Sequence, residues 1–201
     1  MFTQAFKKYE SDKFKYGEWH ERHLRDLVDQ EFTLIEFGVE TGASLRAWKE
    51  LFPKAQVVGV DIDPACKKCE EERIKIFIGD QMDDKMLGEL PEAEVIIDDG
   101  GHRMDQQVFT FQYMFPKLKK QNGLYVIEDL QTSFNLDYGG NEKNEGKTAL
   151  NFFKSLVDDC MVHGKARDAN RFRFKEGELE YYEHHINAIH FYNCICFIEK
   201  I

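Results

Sequence analysis

Thr33-Leu34-Ile35-Glu36-Phe37-Gly38 is the stretch that decides the fold. It is a short run of mostly apolar residues that stops at glycine, which reads as a buried strand entering a turn. Residues 44–51 then carry apolar positions at helical spacing. The same alternation repeats downstream. Strands are predicted at 56–61, 74–80, 95–98 and 124–128, with helices at 64–72, 84–89 and 106–118 between them. Strands that alternate with helices imply a parallel sheet covered on both faces, and near-continuous apolar strands are what two-sided burial requires.

Outward from that block the pattern changes. Residues 20–28 carry Leu24, Leu27 and Val28 among charges, so 1–30 reads as an N-terminal helical section. After a helix at 149–162 the spacing suggests antiparallel pairing, with one hairpin from 172–175 and 179–182 and a second from 188–192 and 195–200. The expectation is a doubly wound α/β fold, mostly parallel, ending in an antiparallel hairpin. One domain covers 1–201: the helical section, an alternating section at 31–130, and a loop, helix and hairpins at 131–201.

Composition narrows the function. The chain has 201 residues, 42% hydrophobic and 32% charged, which excludes wholesale disorder. A formal charge of -10 argues against a generic nucleic-acid face, since phosphate contacts need basic residues. No apolar run approaches the roughly 20 residues of a membrane span. Residues 1–13 lack an apolar signal core, so a cytoplasmic protein with neither nucleic-acid nor membrane partners is expected. Five cysteines in a domain of this size predict free thiols.

In an open parallel sheet, ligands bind at the carboxyl ends of the strands. Those ends read Glu36-Phe37-Gly38, Asp61-Ile62-Asp63, Gly79-Asp80-Gln81, Asp98-Asp99-Gly100-Gly101-His102 and Glu128-Asp129. Acidic residues at strand-to-helix turns can simply cap helices, but this edge collects too many for that alone. Gly38 and Gly42 clear the approach to the first turn, and Asp61 stands where a carboxylate can bind ribose hydroxyls. The dinucleotide fingerprint is absent, and Glu40 would face a pyrophosphate unfavourably, so a cationic adenosyl ligand suits this edge better. If the fourth and fifth strands are neighbours, Asp99, Glu128 and Asp129 converge. Three carboxylates together repel unless a cation or a proton compensates, and for a cation the oxygen ligands favour magnesium, with manganese or calcium as alternatives. His102 lies close enough to serve the same volume as a general base.

These residues resemble the class I S-adenosylmethionine-dependent methyltransferases, and more narrowly the metal-dependent sugar O-methyltransferases of the macrocin and mycinamicin type, with the related cephalosporin-hydroxylase-like group. The matching stretches are 11–13, 36–48, 58–64, 79–81, 96–102, 115–116, 123–132 and 189–200. The resemblance implies a seven-stranded Rossmann-like sheet and methyl transfer from S-adenosylmethionine, with Mg2+, to a hydroxyl of a sugar or sugar-containing small molecule. It implies Asp99, Glu128 and Asp129 as metal ligands and His102 as the base. It further implies a cofactor site drawn from Glu36, Gly38, Ser44, Asp61, Gln81 and Asp98, to which the strand-end reading adds Gly42 and Asp80. Relatives of this type often assemble, so a homo-oligomer is within expectation. Two departures stand out: Ala43 where the family often has glycine, and Gly101 where its metal turn usually has serine.

Cys66 and Cys69 lack the second pair a zinc site needs. Gly146-Lys147-Thr148 fails as a phosphate loop because position 141 is Asn. Residues 138–146 read as a mobile loop beside the site and a candidate lid. Lys13 is a candidate to reach cofactor or substrate. His184 and His185 read as exposed, and His190 as structural. The alternatives are a hydroxylase-like enzyme on the same scaffold, for which a two-histidine, one-carboxylate pattern is not evident, and a non-catalytic cofactor-binding protein.

Overall fold

The computed structural model describes residues 1–119, 123–161 and 180–201. The N-terminal section holds α1 (Phe2–Lys8) and α2 (Gly17–Leu24), separated by a 3₁₀ turn at Asp12–Lys15. The alternating section runs β1 (Thr33–Phe37), α3 (Ala43–Leu51), β2 (Gln56–Asp61), β3 (Ile74–Ile78), α4 (Asp84–Glu89), β4 (Val95–Asp98), α5 (Met104–Met114) and β5 (Gly123–Ile127). Then come α6 (Ala149–Cys160), α7 (Tyr181–His185), β6 (Ile186–Tyr192) and β7 (Ile195–Lys200).

The seven strands form one sheet in the order β3-β2-β1-β4-β5-β7-β6. β1 pairs parallel with β2 and β4, and β4 with β5, whereas β7 runs antiparallel to both β5 and β6. The order reverses at β1 and β4, so their carboxyl ends flank the crevice where open α/β sheets bind ligands.

Alternation along each strand divides the core between two faces. Leu34, Val57, Ile97, Val126 and Phe197 pack with Phe2, Phe6, Trp48 and Phe52 under α1, α2 and α3. Ile35, Val58, Ile96, Tyr125 and Ile198 pack with Phe111, Phe115 and Phe153 under α5 and α6. Helix starts are fixed locally: the Asp83 carboxylate accepts from the Lys85 and Met86 amides to open α4, and the Thr148 hydroxyl accepts from the Asn151 amide to open α6.

Three expectations change. The segment predicted as a helix over 64–72 is a 3₁₀ helix, Pro64–Cys69, because Asp63 caps a turn that Pro64 starts and β3 follows at once. In the predicted 172–182 hairpin, Tyr181 and Tyr182 are helical and belong to α7, opened by a capping box between Glu180 and Glu183; residues 172–179 lie outside the described residues. The third strand stops at Ile78, short of Asp80. All five cysteines are free thiols, and no helix of the described residues is long and apolar enough to cross a membrane.

Candidate active site

Two adjoining cavities open at the carboxyl edge of the sheet, of about 180 Å³ and about 510 Å³. Gly38, Asp61 and Gly100 line both; Asp80 and Gln81 line the smaller, and Ser44, Asp99, His102 and Asp129 the larger. Gly38 has φ +91, and a Cβ there would meet the Asp99 carbonyl oxygen at 2.1 Å, so the β1 and β4 turns can approach this closely only at glycine. Asp61 clamps the first turn: its carboxylate accepts from the amides of Val39 (2.8 Å), Glu40 (3.1 Å) and Asp63 (2.9 Å). Burial alone would push Asp61 up, but these donors outweigh it and hold the carboxyl below its usual range.

The other three residues expected in the cofactor site stand behind its walls. Glu36 is fully buried and accepts from the Ser44 hydroxyl and the Trp48 indole, fixing the start of α3. Asp98 is fully buried and accepts from the Gln81 amide (3.3 Å) and the Gly100 N–H (3.4 Å), so it braces the wall. Gly42 takes φ +72 at the N-terminus of α3 and faces Cys69.

The acidic strand ends meet a lysine that arrives from the other end of the chain. Lys13 is 1% exposed, and its ammonium binds Asp99, lies 3.1 Å from Glu128 Oε2 and 4.0 Å from Glu36 Oε2. It therefore reaches the carboxylates rather than open cofactor space. Burial favours a neutral amine, but three carboxylates outweigh it and hold Lys13 charged. His20, one face of α2, puts Nε2 2.9 Å from Glu128 Oε1. Burial pushes Glu128 up, yet Lys13 and His20 overcome this and hold it at about 2. Both Glu128 oxygens are thus engaged from the protein side.

Asp99 and Asp129 meet His102 on the open side. His102 Nε2 lies 3.6 Å from Asp129 Oδ2 and 4.0 Å from Asp99 Oδ1, and one ligand atom from each of the three lies within 4.8 Å of the others. Asp129 and His102 both adopt left-handed backbone, φ 57 and 55, which turns their side chains toward each other. The Tyr16 hydroxyl donates to Asp129 Oδ1 at 2.6 Å, and the Thr132 hydroxyl donates to the His102 carbonyl at 3.1 Å. Burial lowers the His102 pKa against the pull of Asp129, so the ring is neutral near pH 7. The buried Nδ1 of His102 has no hydrogen-bond partner among the described residues.

A hard divalent cation fits this arrangement. A single ammonium serves Glu36, Asp99 and Glu128, and burial with neighbouring carboxylates still pushes Asp99 well above its usual range despite Lys13. The cluster is short of positive charge, and its open donors, Asp99 and Asp129, are oxygens.

Position 101 has a local explanation. A Cβ there would meet Gln106 Oε1 at 2.2 Å, so the Gln106 amide fills the space that a serine side chain would take. The 138–146 loop is stapled to α6 through Asn144 and Asn151 (2.9 and 2.7 Å), and the Tyr138 ring lies 6.2 Å from that of His102. Tyr16 and His20 were missed by sequence reading. The Ser11-Asp12-Lys13 match pointed to their neighbourhood, and the i, i+4 spacing of Tyr16 and His20 on one helical face was the remaining signal.

This strand order, with one reversed strand and an acidic edge at the switch point, is the class I S-adenosylmethionine-dependent methyltransferase fold. No family model matches the chain. Relatives make the class narrower. The chain is 33% identical over 206 residues to demethylmacrocin O-methyltransferase of Streptomyces fradiae, covering 92% of this chain and 50% of that protein. It is 32% identical over 204 residues to 8-demethyl-8-alpha-L-rhamnosyl tetracenomycin-C 2'-O-methyltransferase of Streptomyces olivaceus, covering 94% and 52%. The MycE methyltransferase of the mycinamycin biosynthetic pathway, solved in complex with Mg and SAH, superposes with a TM-score of 0.88 at 30% identity over 99% of this chain and 54% of that one. Over nearly its whole length the chain is similar to methyltransferases of the macrocin/mycinamicin type, and it spans about half the length of these relatives.

Proposed function

We propose that the protein is an S-adenosylmethionine-dependent, Mg2+-dependent O-methyltransferase acting on a hydroxyl of a sugar or sugar-containing small molecule. The observation that carries this is the larger cavity, where the glycine turn of β1 and the Asp99–His102–Asp129 cluster share one wall. A methyl donor seated on the turn would therefore face the cluster. The acceptor class rests on the relatives, whose names include a rhamnosyl substrate.

Gly38, Ser44, Asp61, Asp80 and Gln81 would hold the donor, while Glu36, Gly42 and Asp98 shape the wall behind it. Asp99 and Asp129 would hold the cation, with Glu128 completing the acidic set from behind Lys13. A cation held there would supply Lewis-acid chemistry that lowers the pKa of an acceptor hydroxyl. His102, kept neutral by burial, takes the hydroxyl proton as methyl transfer proceeds. Asp129, anchored by Tyr16, steadies the imidazolium that results. Lys13 neutralises the deep carboxylates Glu36 and Glu128 and touches Asp99 from the inner side, so acid–base work falls to the open side.

The test is thermal unfolding with S-adenosylhomocysteine, with and without Mg2+, with NAD as control. A ligand at 100 times its Kd stabilises by about 2.7 kcal/mol, or about 5–10 °C for this size. A shift with S-adenosylhomocysteine supports the reading; a shift confined to NAD, or none, removes it. His102→Ala should then cut turnover by about 10²–10⁴-fold while S-adenosylhomocysteine affinity stays within a few-fold. A variant with near wild-type kcat would remove His102 as the base.

A further inference from the structure

A second group of metal-ligating side chains lies behind the active site, at the joint between α2 and the terminal hairpin. His23 sits one turn beyond His20 on the same face of α2. His190 on β6 and Glu199 on β7 are diagonal neighbours on one face, since Ala188 and not His190 is directly opposite Glu199. His190 Nε2 lies 3.1 Å from Glu199 Oε1, and His23 Nδ1 lies 3.8 Å from the same oxygen. One donor atom from each of the three residues lies within 4.8 Å of the others. Ligands held at 2.0–2.1 Å around a tetrahedral ion stand about 3.4 Å apart, so the group is already near that spacing.

The surroundings orient the donors. His23 Nε2 lies 3.1 Å from the Tyr192 hydroxyl, so the tautomer protonated on Nε2 would donate to that oxygen and leave the Nδ1 lone pair facing Glu199. The His23 ring is also stacked on Phe197, 4.4 Å between centroids, which fixes its plane. Asn187 Nδ2 donates to Glu199 Oε2 at 3.2 Å and leaves Oε1 for the histidines. A ligand histidine held through its other nitrogen, and a carboxylate held through its other oxygen, are the outer contacts that metal sites use. The side chains are graded in exposure, 8% for His23, 34% for Glu199 and 37% for His190, so the group is anchored on the inside and reachable from solvent.

We propose that His23, His190 and Glu199 form a second metal site, selective for a borderline divalent ion such as Zn2+ or Co2+ and separate from the oxygen-lined cation site at the sheet edge. Two imidazoles and one carboxylate favour such ions over Mg2+. Occupancy would tie α2, which carries His20, to the hairpin that closes the sheet, and solvent would complete the coordination. The sequence alone could not show this group, because His23 and His190 are brought together only by the docking of α2 on β6 and β7.

The test is a Co2+ titration of the full chain, followed by visible absorption, in excess Mg2+. One equivalent should bind with a ligand-field band and no thiolate charge-transfer band, and Zn2+ should displace it. The signal should persist in Asp129→Asn, which disables the sheet-edge site. Either His190→Gln or Glu199→Gln should weaken binding at least tenfold, and Tyr192→Phe, which keeps the ligands but removes the hydroxyl, by roughly 10–100-fold. The metal-free melting temperature of each variant, compared with wild type, separates loss of the site from loss of fold. Equal binding by wild type and both ligand variants, a thiolate band, loss of the signal in Asp129→Asn, or no binding at millimolar Co2+ would each overturn the proposal.

Discussion

Asp98 and Glu128 close neighbouring strands, are both almost wholly buried, and are joined by the Glu128 N–H to Asp98 carbonyl bond of 3.0 Å. Their carboxyl groups nonetheless sit at opposite ends of the scale. Burial pushes Asp98 to about 7; the Gly100 N–H, the Gln81 amide and the more distant charge of Lys13 offset it only in part, and no cation among the described residues touches it. The same burial acts on Glu128, but Lys13 and His20 face it and bring it to about 2. Depth in the sheet does not decide the charge of an acid here; the groups opposite it do. Asp98 is wall material, and Glu128 is the charged floor beneath the Asp99–His102–Asp129 cluster.

The largest test of this contrast removes the cation. Lys13→Met leaves buried Glu36 and Glu128, and part-exposed Asp99, without their ammonium, and breaking a buried ion pair from one side costs about 3–5 kcal/mol. Denaturant unfolding at pH 7 should show that loss, and Glu128 should then titrate upward, toward the behaviour of Asp98. A variant within 1 kcal/mol of wild type, as an order of magnitude, would show that Lys13 does not hold the cluster together.

The next test addresses Asp98. Its folded pKa lies above the roughly 3.9 of an unfolded aspartate, so the folded protein keeps a proton that the unfolded chain has released. That stability is fully present below about pH 4 and is lost as pH rises through about 7. Asp98→Asn cannot ionise, so its stability should lack this decline and exceed that of wild type at pH 8 by on the order of 4 kcal/mol. Parallel stability–pH curves for the two proteins would refute the assignment.

The smallest effect is on the open side. Tyr16→Phe removes one hydrogen bond to Asp129 and should cost roughly 0.5–1.5 kcal/mol. If Asp129 is steadied by that hydroxyl, turnover should fall more than S-adenosylhomocysteine affinity does. Equal losses in both would assign Tyr16 to the fold alone.

Much of this was legible in the sequence. The strands announced themselves because two-sided burial demands continuous apolar runs, and Asp99, His102, Glu128 and Asp129 stood out because they sit within a few residues of two strand ends. What could not be read was which acids face a cation. Glu36 and Asp98 look like Asp61 in the sequence, but their side chains point into the layers rather than the crevice. The parts played by Lys13, Tyr16 and His20 depend on how the N-terminal helices dock, which no local spacing encodes. The C-terminal misreading has a local cause: the alternation around Tyr181 and Tyr182 looked like a strand, and a capping box won.

The contacts of Lys13, His20 and Tyr16 span 86, 108 and 113 residues of chain. During folding, the acids of β4 and β5 are brought side by side by sheet pairing, with no counter-charge from their own strands. Relief has to come from a segment that lies far away along the chain, so closing this long loop is a late and entropically costly event. Native-state hydrogen exchange should therefore find the Asp12–Lys15 turn and the amides after β4 and β5 opening together as one unit. The acidic edge and the docking of the first helices would then be gained and lost as a single step.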